Sequence, residues 1–135
     1  MAENVTVLVM DDASIVRKLL TSMLAGVKGV GDVLQADDAR SALDLMDRHR
    51  PAIAILDIKV PGTGVLHNGI DVLKQVRRTH PDTSVIMLTN HATPRYRTEC
   101  LAAGAHEFFD KSTEFEQLLE TVALLSEQHQ QGSAT

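Results

Sequence analysis

Cysteine occurs once in this chain of 135 residues, as Cys100, so no internal disulfide can form. Such usage fits a reducing cytoplasm, the location expected here. Cys100 falls in a helical stretch and reads as a small packing residue rather than a nucleophile. Long apolar runs are also missing. None approaches the roughly 20 residues that span a bilayer, and the mean hydropathy of -0.04 argues against a membrane protein. The first residues, Met1-Ala2-Glu3-Asn4, carry neither the basic nor the apolar region of a secretory signal. Lysine and arginine form no cluster, and the formal net charge is -5. Phosphate backbones need such clusters, so direct DNA or RNA binding is not expected. With no internal repeat and no linker, the chain reads as one domain over residues 1–127. A polar tail, 128–135, is expected to be flexible.

What is present is a set of short apolar runs. Ala52-Ile53-Ala54-Ile55-Leu56 is bounded by Pro51 and Asp57 and does not alternate with polar residues. It predicts a central strand buried on both faces. Val5 to Met10 and Ser84 to Leu88 read the same way, Asp32 to Ala36 as a weaker edge strand, and His106 to Phe109 as a short one. Between them, helical spacing appears in Ile15, Val16, Leu19, Leu20, Met23 and Leu24, with Ser14 as the expected N-cap. Further helices follow Asp37-Asp38, Asn68 and Thr93-Pro94. Thr113-Glu114-Phe115-Glu116 reads as a capping box for the last helix. Glycine and proline make Pro61 to Gly69 a loop. Five strands alternating with five helices predict an α/β fold with a doubly wound parallel sheet, for which 2-1-3-4-5 is a standard strand order.

In such a sheet every strand ends on the same edge, where open α/β sheets bind ligands. Asp11, Asp12, Asp57, Thr89 and Lys111 all follow strands and so arrive at that edge. Each alone has a bland reading as a solvated acid, a cap or a surface lysine; their joint arrival is the signal. Two carboxylates about 4 Å apart repel by roughly 4 kcal/mol at an effective dielectric near 20. Three together raise their pKa values or recruit a cation. An all-oxygen donor set suits Mg²⁺, which keeps several waters and favours a phosphate partner. A cation, an ammonium and a hydroxyl around one carboxylate make a phosphoryl-transfer site. Asp57 is then a nucleophile able to form an acyl phosphate.

These residues resemble those of a bacterial two-component response regulator receiver domain, similar to the single-domain chemotaxis regulator. The match covers roughly residues 5 to 125 and rests on Asp11-Asp12, Asp57 with Pro61 behind it, Thr89 and Lys111. The resemblance implies the flavodoxin-like receiver fold, with Asp57 as phosphoacceptor. Asp11, Asp12, Asp57 and the backbone carbonyl of Lys59 would hold Mg²⁺. Thr89 and Lys111 would contact the phosphoryl oxygens, and Thr89 and Phe108 would form the switch, Phe108 turning inward on activation. A sensor histidine kinase or phosphotransfer protein would be the donor. Output would pass through the fourth helix, fifth strand and fifth helix to a separate effector protein, the expectation when no effector domain follows Leu125, with a receiver excised from a longer chain as the alternative. No enzymatic activity beyond its own phosphorylation and autodephosphorylation is implied, and the expected state is a monomer or a phosphorylation-dependent homodimer.

Departures from the family pattern are specific. Ser112 stands where proline usually follows the lysine, Asn90 where alanine or glycine is common, and the 61–69 loop reads as about four residues longer than usual. Lys59 and His91 occupy the positions that generally tune dephosphorylation. His67 and His91 flank the site, whereas His49, His80, His106 and His129 read as surface or capping residues. Other readings predict different observations. An Asp-nucleophile phosphatase usually carries a second acid two residues after the nucleophile, where this chain has Lys59. A flavin module needs a phosphate cradle after the first strand, where Asp11-Asp12 would repel phosphate. A degenerate receiver serving only as a binding platform would lack the intact acid set.

Overall fold

A computed structural model describes residues 4–62 and 66–133. Elements alternate as the sequence predicts. They are β1 (Val5–Met10), α1 (Ser14–Ala25), β2 (Val30–Ala36), α2 (Ala39–His49), β3 (Ile53–Leu56), α3 (Gly69–Thr79), β4 (Ser84–Thr89), α4 (Pro94–Ala102), β5 (Glu107–Asp110) and α5 (Phe115–Ser133). The strands form one sheet in the order β2-β1-β3-β4-β5, with every neighbouring pair parallel. All four residues of β3 are buried, because helices cover both faces. Alternate residues feed two cores. Leu8, Met10, Ala54, Leu56 and Met87 pack with Ala42 and Met46 of α2, Leu73 and Val76 of α3 and Cys100 of α4. On the other face, Val7, Val9, Ile55, Ile86 and Leu88 pack with Leu20 and Leu24 of α1 and Leu118 and Val122 of α5. Cys100 is fully buried, as a packing residue should be.

Helix starts follow side-chain chemistry. The Asp38 carboxylate caps α2 through the Ser41 amide, Asn68 caps α3, and Thr93 caps α4 with Pro94 in its first turn. Two expected caps are corrected. Ser14 is the first residue of α1 and Ala13 occupies the cap, its amide donating to Asp11 Oδ1 at 2.9 Å. The capping box at Thr113 does not form: α5 begins at Phe115, and Glu114 Oε1 instead accepts from the Asp110 amide at 2.9 Å.

Two further differences have tertiary causes. β2 begins at Val30, earlier than expected, because Val30 pairs with Val5 across an irregularity in the ladder. α5 runs on to Ser133 through the stretch expected to be a flexible tail. There His129 Nε2 lies 3.0 Å from Ser84 Oγ at the start of β4, which fixes the helix end against the sheet. His80, expected as a surface or capping residue, is the C-cap of α3; it is 9% exposed and sits 2.9 Å from Asp47 of α2. Of the expected long loop over 61–69, residues 63–65 lie outside the described residues.

Candidate functional site

The acids reach the sheet edge because the hydrogen-bond ladder carries one residue past each strand. The Asp11 amide donates to the Ala36 carbonyl at 3.0 Å, Asp57 to Met10 at 3.0 Å, and Lys111 to Thr89 at 2.9 Å. Asp11, Asp57 and Lys111 are therefore each fixed by a backbone bond to the neighbouring strand. Behind Asp57 the packing is close. The Gly69 amide at the head of α3 donates to the Ile58 carbonyl at 2.8 Å. A Cβ on Gly69 would stand 1.8 Å from the Asp57 carbonyl oxygen, so only glycine allows α3 to begin there.

Three of the expected residues meet directly. The Lys111 ammonium lies 2.8 Å from Asp57 Oδ2 and is also hydrogen-bonded to Asp11 Oδ2. Asp11, Asp57 and Lys111 are 2%, 6% and 8% exposed, so charge is here matched out of bulk water. Burial alone would push Lys111 down, but its hydrogen bonds and charge contacts with Asp11 and Asp57 outweigh that, and its pKa lies above the ordinary lysine value. Asp12 is exposed, yet one carboxylate oxygen from each of Asp11, Asp12 and Asp57 lies within 4.8 Å of the others.

The donor set fits a hard divalent cation. Three carboxylates and one ammonium leave two negative charges, and all donors are oxygen. Asp57 Oδ1 is buried and has no hydrogen-bond partner, a costly arrangement for a carboxylate oxygen unless something is meant to bind it. Among the described residues no backbone amide donates to the Lys59 carbonyl, while the Lys59 side chain is exposed.

Among the described residues, the other expected residues make no hydrogen bond to the Asp57 side chain, which Lys111 holds. Thr89 is fully buried, and its hydroxyl oxygen accepts from the His91 amide at 3.0 Å, leaving its proton free to donate elsewhere. Asn90, His91 and His67 are exposed. Phe108 is 1% exposed and so already occupies the interior in this structure. Sequence reasoning missed two arginines. Arg17 of α1 donates to the Asp11 carbonyl at 2.7 Å, holding the turn that presents the acid pair. Arg97 of α4 lies over the Phe108 ring, 5.2 Å from its centroid, and 3.8 Å from Glu114. Neither had a signal in the sequence, since each arginine occupies an ordinary polar position of a helix.

Comparison with known proteins agrees with this geometry. Residues 7–123 match the response regulator receiver domain family. The chain is 31% identical over 121 residues to the response regulator GacA of Pseudomonas viridiflava, covering 90% of this chain and 55% of that protein. It thus spans about half the length of such curated relatives. Among solved structures, the signal receiver domain of NarL from Mycobacterium tuberculosis is 30% identical with a TM-score of 0.81, covering 93% of this chain and 98% of that one. The signal receiver domain of a candidate Luxo repressor protein from Vibrio parahaemolyticus, 24% identical, shares the fold with a TM-score of 0.84 over 97% of this chain and 96% of its own. No helix among the described residues is long and apolar enough to cross a membrane. With its 2-1-3-4-5 parallel sheet and its acids gathered at one edge, the chain belongs to the receiver domains of two-component response regulators.

Proposed function

We propose that this receiver is a phosphorylation-dependent switch that accepts a phosphoryl group on Asp57. The observation that carries the reading is the Asp57 carboxylate itself. One of its oxygens is held by Lys111, the other is buried without a partner, and one carboxylate oxygen of Asp57 lies within 4.8 Å of one each from Asp11 and Asp12. Transfer forms a bond from an Asp57 carboxylate oxygen to phosphorus while the donor's nitrogen–phosphorus bond breaks. Asp11, Asp12, Asp57 and the Lys59 carbonyl would hold Mg²⁺, which would neutralise charge on the phosphoryl group. Lys111 supplies a further positive charge, and the free Thr89 proton a hydrogen bond.

The donor is a sensor histidine kinase or a phosphotransfer protein. Ile15 and Leu19, one helical turn apart on α1, are 76% and 51% exposed and follow directly on the acid pair, where such a partner would dock its apolar face. Phosphorylation adds up to about two negative charges. Thr89 and the 90–93 segment respond, and the surface of α4, β5 and α5 changes its affinity for a separate effector protein in the cytoplasm. With Phe108 already packed, movement of α4 rather than entry of the ring transmits the change. The net charge of -5 argues against DNA as the direct partner, and the receiver acts as a monomer or as a homodimer formed on phosphorylation.

The test is an adduct. Beryllofluoride with Mg²⁺, or acetyl phosphate with Mg²⁺, should give a stoichiometric adduct in this chain and none in Asp57→Asn, read by intact mass for the phosphoryl group and by ¹⁹F resonance for beryllofluoride. Absence of an adduct with both reagents would refute the reading.

A further inference from the structure

The turn that carries Lys111 is held by side chains. Ser112 follows the lysine where the family usually has proline, and no cis peptide occurs among the described residues. In place of a ring constraint, Asp110 Oδ1 accepts from the Ser112 amide at 2.9 Å and from its hydroxyl at 2.6 Å. Glu114 Oε1 accepts from the Asp110 amide at 2.9 Å, while the Asp110 carbonyl takes the Glu114 amide at 2.9 Å. Residues 110 to 114 are thus closed by bonds in both directions. Arg97 then reaches in from α4, with Nη2 3.8 Å from Glu114 Oε1 and its guanidinium over Phe108. Lys111, whose ammonium bridges Asp11 and Asp57, sits inside this closed turn.

We propose that Arg97, Glu114, Asp110 and Ser112 form a polar clip that positions Lys111 and links its placement to helix α4. The clip rests on the reading of Asp57 as phosphoacceptor, because Lys111 matters to output only if Asp57 changes state. Its logic is one of preorganisation. A lysine stem has four rotatable bonds, so its ammonium meets an incoming anion well only if the backbone beneath it is fixed. The Arg97 guanidinium touches both ends of the device, the Glu114 carboxylate outside and the Phe108 ring inside. A shift of α4 therefore pulls on the Lys111 turn, and a change at Lys111 is felt by α4. Arg97 is a positioning residue, acting on the site through Glu114 and Phe108.

The test uses the full chain, ¹⁵N-labelled, as Arg97→Ala, Glu114→Gln and the double variant. In the ligand-free protein, Arg97→Ala should speed hydrogen exchange at the Asp110 and Ser112 amides severalfold. Titrated with beryllofluoride at fixed Mg²⁺, it should raise the half-saturating concentration about three- to fivefold, the size expected from losing one partly exposed cation–π contact. Shift changes at Thr98 and Cys100 on adduct formation should shrink, while those at Asp12 and Ile58 persist. A merely structural arginine would lower the melting midpoint without separating these two groups of amides. The double variant should be no weaker than Arg97→Ala alone, since both break one linkage. Unchanged exchange at Asp110 and Ser112 overturns the clip whether or not the wild type binds. Wild-type half-saturation with full α4 response in Arg97→Ala also overturns it, as do additive effects in the double variant. Absence of an adduct in the wild type instead removes the phosphoacceptor reading.

Discussion

Lys111 is the residue through which the site's electrostatics can be measured. Its ammonium is the hydrogen-bonding cation shared by two carboxylates that are each less than a tenth exposed. Removing one partner of such a group leaves charge buried and unmatched, at a cost of about 3 kcal/mol. In Lys111→Ala the acids face one another with no counter-ion, so a divalent cation should become a stabiliser rather than a competitor of the ammonium. Urea unfolding should therefore show the variant about 3 kcal/mol weaker than the wild type without Mg²⁺. At millimolar Mg²⁺ it should recover more stability than the wild type gains, by mass action on the folded state. No stabilisation of either protein by Mg²⁺ would mean that the three acids do not form a cation site. At this scale the residue types of the site were legible in the sequence, but not its pairing. That Asp11 rather than Asp12 takes the lysine depends on which acid the ladder bond to Ala36 turns inward.

At the scale of elements, the caps decide how firmly the site is framed. Asn68 accepts from the Ile70 and Asp71 amides at 2.9 and 3.3 Å, and the next residue, Gly69, lies against the Asp57 carbonyl. Asn68→Ala should cost about 1 kcal/mol, the usual worth of an N-cap. Its effect should be local: amide exchange should rise at Gly69 and Ile70 more than in α5. Uniform exchange across the molecule would show that the cap serves global stability alone. Strand and helix identities were legible because the apolar runs are short and bounded by Pro51, Asp57 and the glycines, leaving one alternation of elements. Cap chemistry was legible where a lone Asn68 or Thr93 precedes a helix. It failed at Thr113, because Glu114 finds a partner in the Asp110 amide, at a strand end whose position is set by the sheet.

For the whole molecule, the least legible feature is how the far end of α5 is held. Gln128 to Thr135 looks like a solvated tail in sequence, yet His129 meets Ser84 across the fold. Pairing between residues so distant in sequence leaves no local pattern. Burial pushes the His129 imidazole below its ordinary value of 6.5, with nearby Asp82 only partly opposing. The sign of the consequence follows from linkage. The unfolded chain binds the proton more readily than the folded one, so the stabilisation is fully present above about pH 6.5. It is lost as pH falls through the lower folded value. One proton can change stability by at most about 1.4 kcal/mol per pH unit. Urea midpoints between pH 7.5 and 5.5 should therefore decline more steeply in the wild type than in His129→Gln, which keeps a hydrogen-bonding group but does not titrate. Amide exchange in the last turns of α5 should quicken over the same range, after correction for the intrinsic rate. Parallel slopes in the two proteins would show that the end of α5 is held by apolar packing on the sheet, with His129 contributing no pH dependence.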